Sequence, residues 1–282
     1  MKKIHIIGLG LLGGSFALAL KKKMPEIEFT GFDIDPRNQE DALTLGIIDR
    51  ALEIPEKDTD VIILATPADT ISELLKKTLD QIGKHTLVID FGSTKEKLCQ
   101  EVAQHPNREN YLAGHPIAGT EYSGPKAARE DLLDRKVFII CEMDRTNLHL
   151  KEMAYAIFDA LNMKLRFMNP DEHDRHLAFV SHLSHISSFM LGKTVLDKMQ
   201  DEKNIFDMAG SGFASTVRLA KSSPEMWAPI IQENKANVLE ALDRYIASLQ
   251  NFRDKIKADQ FKEIKGDMRE INRIRDILDL EK

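Results

Sequence analysis

The sequence is poor in cysteine, has no excess of basic residues and contains no long apolar run. Only Cys99 and Cys141 occur among its 282 residues. That excludes a disulfide framework and fits a reducing cytoplasm, where a buried thiol acts as a small hydrophobe. Asp and Glu number 45 against 39 Lys and Arg, a net charge of −6. Such a balance argues against a general nucleic-acid binder, whose phosphate contacts need a basic surface. No apolar stretch reaches the roughly 18 residues of a membrane span. The first one, after Met1-Lys2-Lys3, is interrupted by glycines and His5, unlike a signal peptide. Internal repeats and low-complexity tracts are also lacking. What remains is an ordinary globular composition, 43% hydrophobic and 30% charged, long enough for two domains or one large one.

Up to about residue 168 the chain alternates short β-rich runs with amphipathic helical stretches. Strands are expected at Ile4–Ile7, Glu28–Asp33, Val61–Ala65, Thr86–Asp90, Tyr111–Gly114, Lys136–Cys141 and Lys164–Met168. Helices are expected between them, as at Leu11–Lys22, Thr70–Leu79 and Leu148–Leu161. This alternation predicts an α/β, Rossmann-type doubly wound parallel sheet over residues 1–168. After Asn169-Pro170 no strand pattern recurs. Residues 169–282 read as an all-helical domain with long helices over about 172–200, 223–250 and 254–278. Asn204–Thr216, with Gly210-Ser211-Gly212, reads as a loop or helix break.

Gly8-Leu9-Gly10-Leu11-Leu12-Gly13 follows the first strand and opens a helix. That context gives an otherwise weak GxGxxG its meaning. Gly8 permits the tight turn, Gly10 lets backbone approach a pyrophosphate, and Gly13 allows close helix–strand packing. Leu11 and Leu12 contribute free N–H groups at the helix start. Asp33, at the end of the second strand, suits the adenosine ribose diol and repels a 2′-phosphate. NAD is thereby favoured over NADP, with Arg37 nearby as the feature that pulls the other way.

Ligands of open α/β sheets bind beyond the carboxyl ends of strands. There the sequence places Thr66-Pro67, then Phe91-Gly92-Ser93-Thr94, then His115-Pro116-Ile117-Ala118-Gly119-Thr120-Glu121. His115 is the strongest candidate for chemistry, because neutral imidazole can take the hydroxyl proton released during hydride transfer. The bland alternative is a His that caps a turn. Ser93 either orients a substrate hydroxyl or caps the next helix, and the two are compatible. Four histidines, His173, His176, His182 and His185, raise the question of a metal. On one continuous helix at about 100° per residue the two pairs face opposite sides, and no third ligand is near, so no metal is expected. An apolar stripe of Phe179, Val180, Leu183, Ile186 and Met190 leaves His182 and His185 to face the cleft and donate hydrogen bonds to an anion. Arg218 suits a carboxylate, or is simply a surface charge. Trp227 reads first as core packing.

In this order the motifs resemble the prephenate/arogenate dehydrogenase family. The resemblance rests on Asp90-Phe-Gly-Ser93-Thr-Lys95, Gly114-His-Pro-Ile-Ala-Gly119-Thr-Glu121, Glu172-His-Asp, Ser181-His-Leu-Ser-His185, Thr216-Val-Arg218-Leu-Ala220, Ser223-Pro-Glu-Met-Trp227 and Glu233-Asn234-Lys235. It implies an NAD-dependent oxidative decarboxylation of prephenate to 4-hydroxyphenylpyruvate in tyrosine biosynthesis, by a cytoplasmic homodimer joined through its helical domain. By that resemblance His115 accepts the ring hydroxyl proton and Ser93 hydrogen-bonds the hydroxyl. Arg218 binds a carboxylate, while His182, His185, Glu121, Thr120 and Trp227 line or gate the pocket. Ser184 stands where members often have Pro, and the Gly210–Gly212 stretch is looser than the usual pattern. An arogenate-preferring enzyme or another β-hydroxyacid dehydrogenase is the nearest alternative. A non-catalytic NAD-binding regulator is the alternative of another class, and Ser93 with His115 counts against it. From the position of Gly8 and the reach of the helical half, neither a fused mutase nor a regulatory domain of the ACT type is expected. Any tyrosine inhibition is therefore expected at the active site.

Overall fold

The computed structural model describes residues 1–199 and 204–279. Eight strands form one sheet: β1 (Lys3–Ile7), β2 (Glu28–Phe32), β3 (Arg50–Ala51), β4 (Val61–Leu64), β5 (Leu87–Asp90), β6 (Tyr111–Pro116), β7 (Val137–Cys141) and β8 (Lys164–Met168). Their order is β3-β2-β1-β4-β5-β6-β7-β8. All neighbours are parallel except β6 and β7, which pair antiparallel through Ala113↔Cys141 and His115↔Ile139. The sheet is therefore mixed, where sequence alternation predicts a parallel one. Two further points differ. β6 continues through His115 and Pro116, because it pairs with β7 beyond the end of its register with β5. The exposed edge strand β3 has no hydrophobic pattern to betray it.

Helices α1 (Leu11–Lys23), α2 (Pro36–Thr44), α3 (Ala68–Gln81), α4 (Glu96–Glu101) and α5 (Leu148–Ala160) connect the strands. β4 and β5 are buried on both faces, hence their unbroken Val/Ile/Leu runs. Alternate residues feed two cores. Val61 and Ile63 join Ile4, Ile6 and Phe16 on one face, and Ile62 and Leu64 join Ile71, Leu75 and Tyr111 on the other. On the first face Phe16, Phe91, Phe138 and Phe158 form a chain with centroid separations of 5.5, 5.8 and 4.2 Å. Each buried Phe contributes on the order of 1.5–3 kcal/mol.

The helix expected over 172–200 is not continuous, and its residue 200 lies outside the described residues. α6 (Pro170–Leu177) passes into a single π turn at Ala178–His182, and α7 (Leu183–Met199) follows. The wider π turn shifts the angular phase of everything after it. Consequently His173 and His182, nine residues apart, are both buried (0% and 1% exposed) rather than on opposite sides. The expected apolar stripe is not the inward face either: Val180 and Met190 are exposed, whereas His173, Asp174, Leu177, Ala178 and His182 are buried.

Within the segment expected as a loop, Ser211–Thr216 forms the short helix α8. The helix expected over 223–250 breaks at Asn234 into α9 (Pro224–Glu233) and α10 (Lys235–Lys257). The last expected helix breaks around Asp259, which has a φ of 53°. α11 (Phe261–Ile271) and α12 (Ile274–Asp279) follow. By contacts the chain divides into Met1–Lys235 and Ala236–Lys282. The division at 168–169 is one of composition and secondary structure. Packing divides the chain elsewhere because α6 and α9 contact α4 and α3. In the second unit Lys255 pairs with Asp267 at 2.5 Å, tying α10 to α11. Its helices leave Phe252, Phe261, Ile271 and Ile274 exposed.

Candidate active site

The strand order reverses direction between β1 and β4, which opens a crevice at their carboxyl ends. Gly8 lies there with a φ of +96°, its Cα against the Ala65 carbonyl. A side chain is excluded on both counts. Gly13 packs on the Gly8 carbonyl and Ile6, so a Cβ there would collide with backbone. At Gly10, by contrast, a Cβ would meet no protein atom within 4 Å. The backbone at Gly10 thus borders open space at the start of α1, where the unpaired N–H groups of Leu11 and Leu12 favour a diphosphate. The Leu12 side chain packs on the core. Thr66 and Pro67 stand on the other wall, ahead of α3, and the Thr66 and Thr70 hydroxyls are 3.0 Å apart.

Asp33 Oδ2 accepts from Leu9 N at 2.9 Å, and Oδ1 from Asp35 N and Asn38 Nδ2. The carboxylate is thereby held beside the glycine turn, where a ribose diol would lie. Arg37 is turned away from this task, since its guanidinium binds both oxygens of Asp35 at 3.1 and 2.8 Å. These groups fit NAD.

Two carboxylates organise the rest. Asp90, at the end of β5, is fully buried and paired with the fully buried Lys95 ammonium. Its Oδ1 accepts from Tyr111 Oη at 2.7 Å and Gly114 N at 3.0 Å, and its Oδ2 from Gly92 N at 2.8 Å. Gly92 precedes Ser93 and Gly114 precedes His115. One side chain therefore anchors both the turn and the strand that carry the predicted chemical groups. A Cβ at Gly114 would run into the Phe138 ring, so glycine is needed for β6 to sit this close.

The second carboxylate is Asp174, on α6. Its oxygens accept from Lys95 N at 2.7 Å and Glu96 N at 2.9 Å, and thus cap α4. Among the described residues no side chain of the Ser93–Lys95 turn caps that helix. The expected capping role of Ser93 thus falls to a residue 81 positions away, and Ser93 sits half-buried on the turn. Asp174 Oδ1 also bonds His173 Nδ1 at 2.7 Å, and His173 Nε2 lies 2.9 Å from His115 Nδ1. His115 is only 8% exposed. Burial, and then the nearby His173, Lys95 and His182, hold its pKa well below the usual imidazole range.

Further along α6 and α7, Asn234 Nδ2 donates to the Asp174 carbonyl at 2.7 Å and lies 3.2 Å from His182 Nδ1. The amide thus places a lone pair on His182 Nδ1 and the proton on Nε2. Burial lowers the His182 pKa to about 4. Trp227 receives the edge of His182 at 5.8 Å and stacks on His185 at 3.5 Å. The buried Trp227 indole N–H has no hydrogen-bond partner among the described residues. Burial, and to a lesser degree the Arg218 charge, lower the His185 pKa, and Arg218 lies 3.9 Å from Glu121. Thr120 Oγ1 accepts from Tyr122 N at 3.2 Å and shapes the loop bearing Glu121.

One expectation needs correcting here. His185 Nδ1 lies 3.1 Å from the Ser181 carbonyl and donates to it. A neutral His185 therefore offers Nε2 as an acceptor, so donation to an anion falls to His182, Trp227 and Arg218. Residue chemistry and spacing alone give no site role to Asp90, Lys95, His173, Asp174 or Asn234. Each lies in a motif that carries the family resemblance, and that membership is the signal that marks it.

A doubly wound sheet with a glycine cradle, an ordered acidic residue at the ribose position and a buried neutral histidine defines an NAD-dependent dehydrogenase. Residues 16–166 match the model of the prephenate dehydrogenase nucleotide-binding domain, and residues 169–270 that of the prephenate dehydrogenase dimerization domain. The chain belongs to the prephenate dehydrogenase family. It is 32% identical to the prephenate dehydrogenase of Bacillus subtilis, over 89% of this chain and 69% of that one. It is 31% identical to that of Lactococcus lactis, over 100% and 79%. The solved prephenate dehydrogenase of A. aeolicus, in complex with hydroxyphenyl propionate and NAD+, superposes with a TM-score of 0.89 at 31% identity, covering 98% and 97% of the two chains. Arogenate dehydrogenase from Synechocystis gives 0.77 at 25% identity, covering 97% and 99%. Among the described residues no helix is long and apolar enough to cross a membrane, and no cluster of metal-ligating side chains occurs.

Proposed function

We propose that the protein oxidises and decarboxylates prephenate to 4-hydroxyphenylpyruvate, with His115 as the base. The observation that carries this is the buried, neutral His115 at the end of β6, anchored with Ser93 to one carboxylate. NAD supplies the hydride acceptor. His115 Nε2 takes the ring hydroxyl proton as the C–H bond breaks, and Ser93 orients that hydroxyl. Loss of the ring carboxylate then follows readily because the product ring is aromatic. The substrate is a dianion and the chain is acidic overall. Binding therefore depends on local donors: Arg218, the unpartnered Trp227 N–H and His182 Nε2–H. Glu121 holds Arg218 in the meantime. Gly8, Gly10, Leu11, Leu12, Gly13, Asp33, Thr66 and Pro67 form the cofactor side.

The chain works as a homodimer through residues 169–282, supported by the match to a dimerization domain and by the exposed apolar side chains of α10 to α12. A cytoplasmic setting is supported by two buried free thiols. The test is spectrophotometric: NADH and the aromatic product appear with prephenate and NAD. A rate with arogenate that exceeds the rate with prephenate overturns the substrate assignment in favour of the arogenate reading, which the Synechocystis likeness keeps in view.

A further inference from the structure

We infer that His173 and Asp174 are positioning residues that hold His115 in the one neutral tautomer able to act as a base. The inference rests on the reading of His115 given above and deepens it. Asp174 accepts two backbone N–H groups, from Lys95 and Glu96, which requires the carboxylate form. Its third bond, to His173 Nδ1 at 2.7 Å, therefore has the imidazole as donor. A neutral His173 with its proton on Nδ1 presents a bare lone pair at Nε2. That lone pair lies 2.9 Å from His115 Nδ1, so His115 must donate there. His115 is then protonated at Nδ1 and carries its free lone pair at Nε2.

The other assignment needs His173 to be a cation donating from Nε2. Burial opposes that: the ring is 0% exposed, and burial, then the nearby Lys95 ammonium, lower its pKa by more than the Asp174 bond raises it. When His115 Nε2 receives the substrate proton, the new charge is shared along Nδ1–H to His173 and Asp174. This resembles in logic the acid–histidine pairing that sets tautomer in hydrolases, extended by one ring. The same Asp174 oxygens cap α4, which begins three residues after Ser93. Base and hydroxyl-orienting turn are thus registered on one carboxylate. The π turn and the Asn234 bond to the Asp174 carbonyl keep α6 in place for it.

Two measurements on the full chain test the relay. In the first, the protein carries ¹⁵N-labelled histidine and is observed by imidazole NMR at pH 7 without substrate. The signals that vanish in His115→Asn are expected to show a protonated Nδ1 and an unprotonated Nε2. The opposite tautomer overturns the inference whether or not prephenate is the substrate. In the second, His173→Leu is expected to lower kcat by about 10²–10⁴, the usual share of a working base, with KM for NAD unchanged. His173→Gln, whose side-chain carbonyl can still accept from Nδ1, is expected to recover at least tenfold of that loss. An undiminished kcat in His173→Leu, or a Gln variant no better than Leu, refutes the relay. Absence of turnover in the wild-type protein refutes the functional reading instead, and leaves the NMR result to decide the tautomer.

Discussion

Asp90 and Lys95 form an ion pair from which solvent is wholly excluded, directly beneath the turn that carries Ser93. Removing one member leaves the other charge buried and unpaired, which costs about 3–5 kcal/mol. Lys95→Met is therefore expected to lower unfolding stability by that amount in urea titrations. The double change Lys95→Met with Asp90→Asn should recover part of it. An unaltered single variant would contradict the pairing.

His115→Asn is expected to reduce kcat by about 10²–10⁴, while NAD affinity changes less than twofold. The base works deprotonated, so activity falls as pH drops through its pKa. Burial and the Lys95 charge push that pKa well below the usual 6.5. The acidic limb of kcat/KM should accordingly lie below pH 6.5, and a limb above that value would argue against a buried neutral base.

Arg218 is more than half exposed and faces Glu121 at 3.9 Å. It is free to exchange that partner for a substrate carboxylate. Arg218→Ala should raise KM for prephenate roughly 10- to 100-fold, as for loss of one charged hydrogen bond, with KM for NAD unmoved. Steady-state kinetics with each substrate varied separates the two.

Gly13→Ala should weaken NAD binding at least tenfold, read by quenching of Trp227 fluorescence or by calorimetry. The added methyl would meet the Gly8 carbonyl and displace the cradle. Gly10→Ala has free space in the protein itself, so its unfolding midpoint should match the parent while NAD binding falls. NAD affinity equal to the parent's in both variants would remove the diphosphate from this turn.

His5 lies wholly inside the sheet, its Nδ1 2.8 Å from Thr30 Oγ1 and its Nε2 without a partner among the described residues. Burial lowers its pKa to about 4 from 6.5. Between these values the unfolded chain binds the extra proton and the folded chain does not, so stability falls as pH falls. The effect is absent above pH 6.5, complete below about 4, and at most about 3 kcal/mol. Urea midpoints of wild type and His5→Asn at pH 7 and pH 5 should show a smaller pH dependence in the variant.

Much of this molecule is written locally. The glycine turn, Asp33, the alternation of strands and helices and the candidate His115 follow from spacing and residue chemistry, because near-neighbour geometry alone sets them. The family motifs likewise include Asp90, Lys95, His173, Asp174 and Asn234. Local rules fail where distant segments meet. The antiparallel pairing of β6 with β7 extends a strand through His115. A π turn turns His182 to the same buried side as His173. Asp174 caps a helix from which it is separated by most of a domain, and the Ser181 carbonyl takes the proton that His185 was expected to offer an anion. Periodicity on a regular helix cannot foresee these arrangements, since each is fixed by hydrogen bonds that a buried polar group must find somewhere in three dimensions. The sequence by itself determined the fold class and the cofactor, and singled out the candidate base. Only the tertiary structure decided which carboxylates serve them, because burial made an unpaired charge too costly to leave to chance.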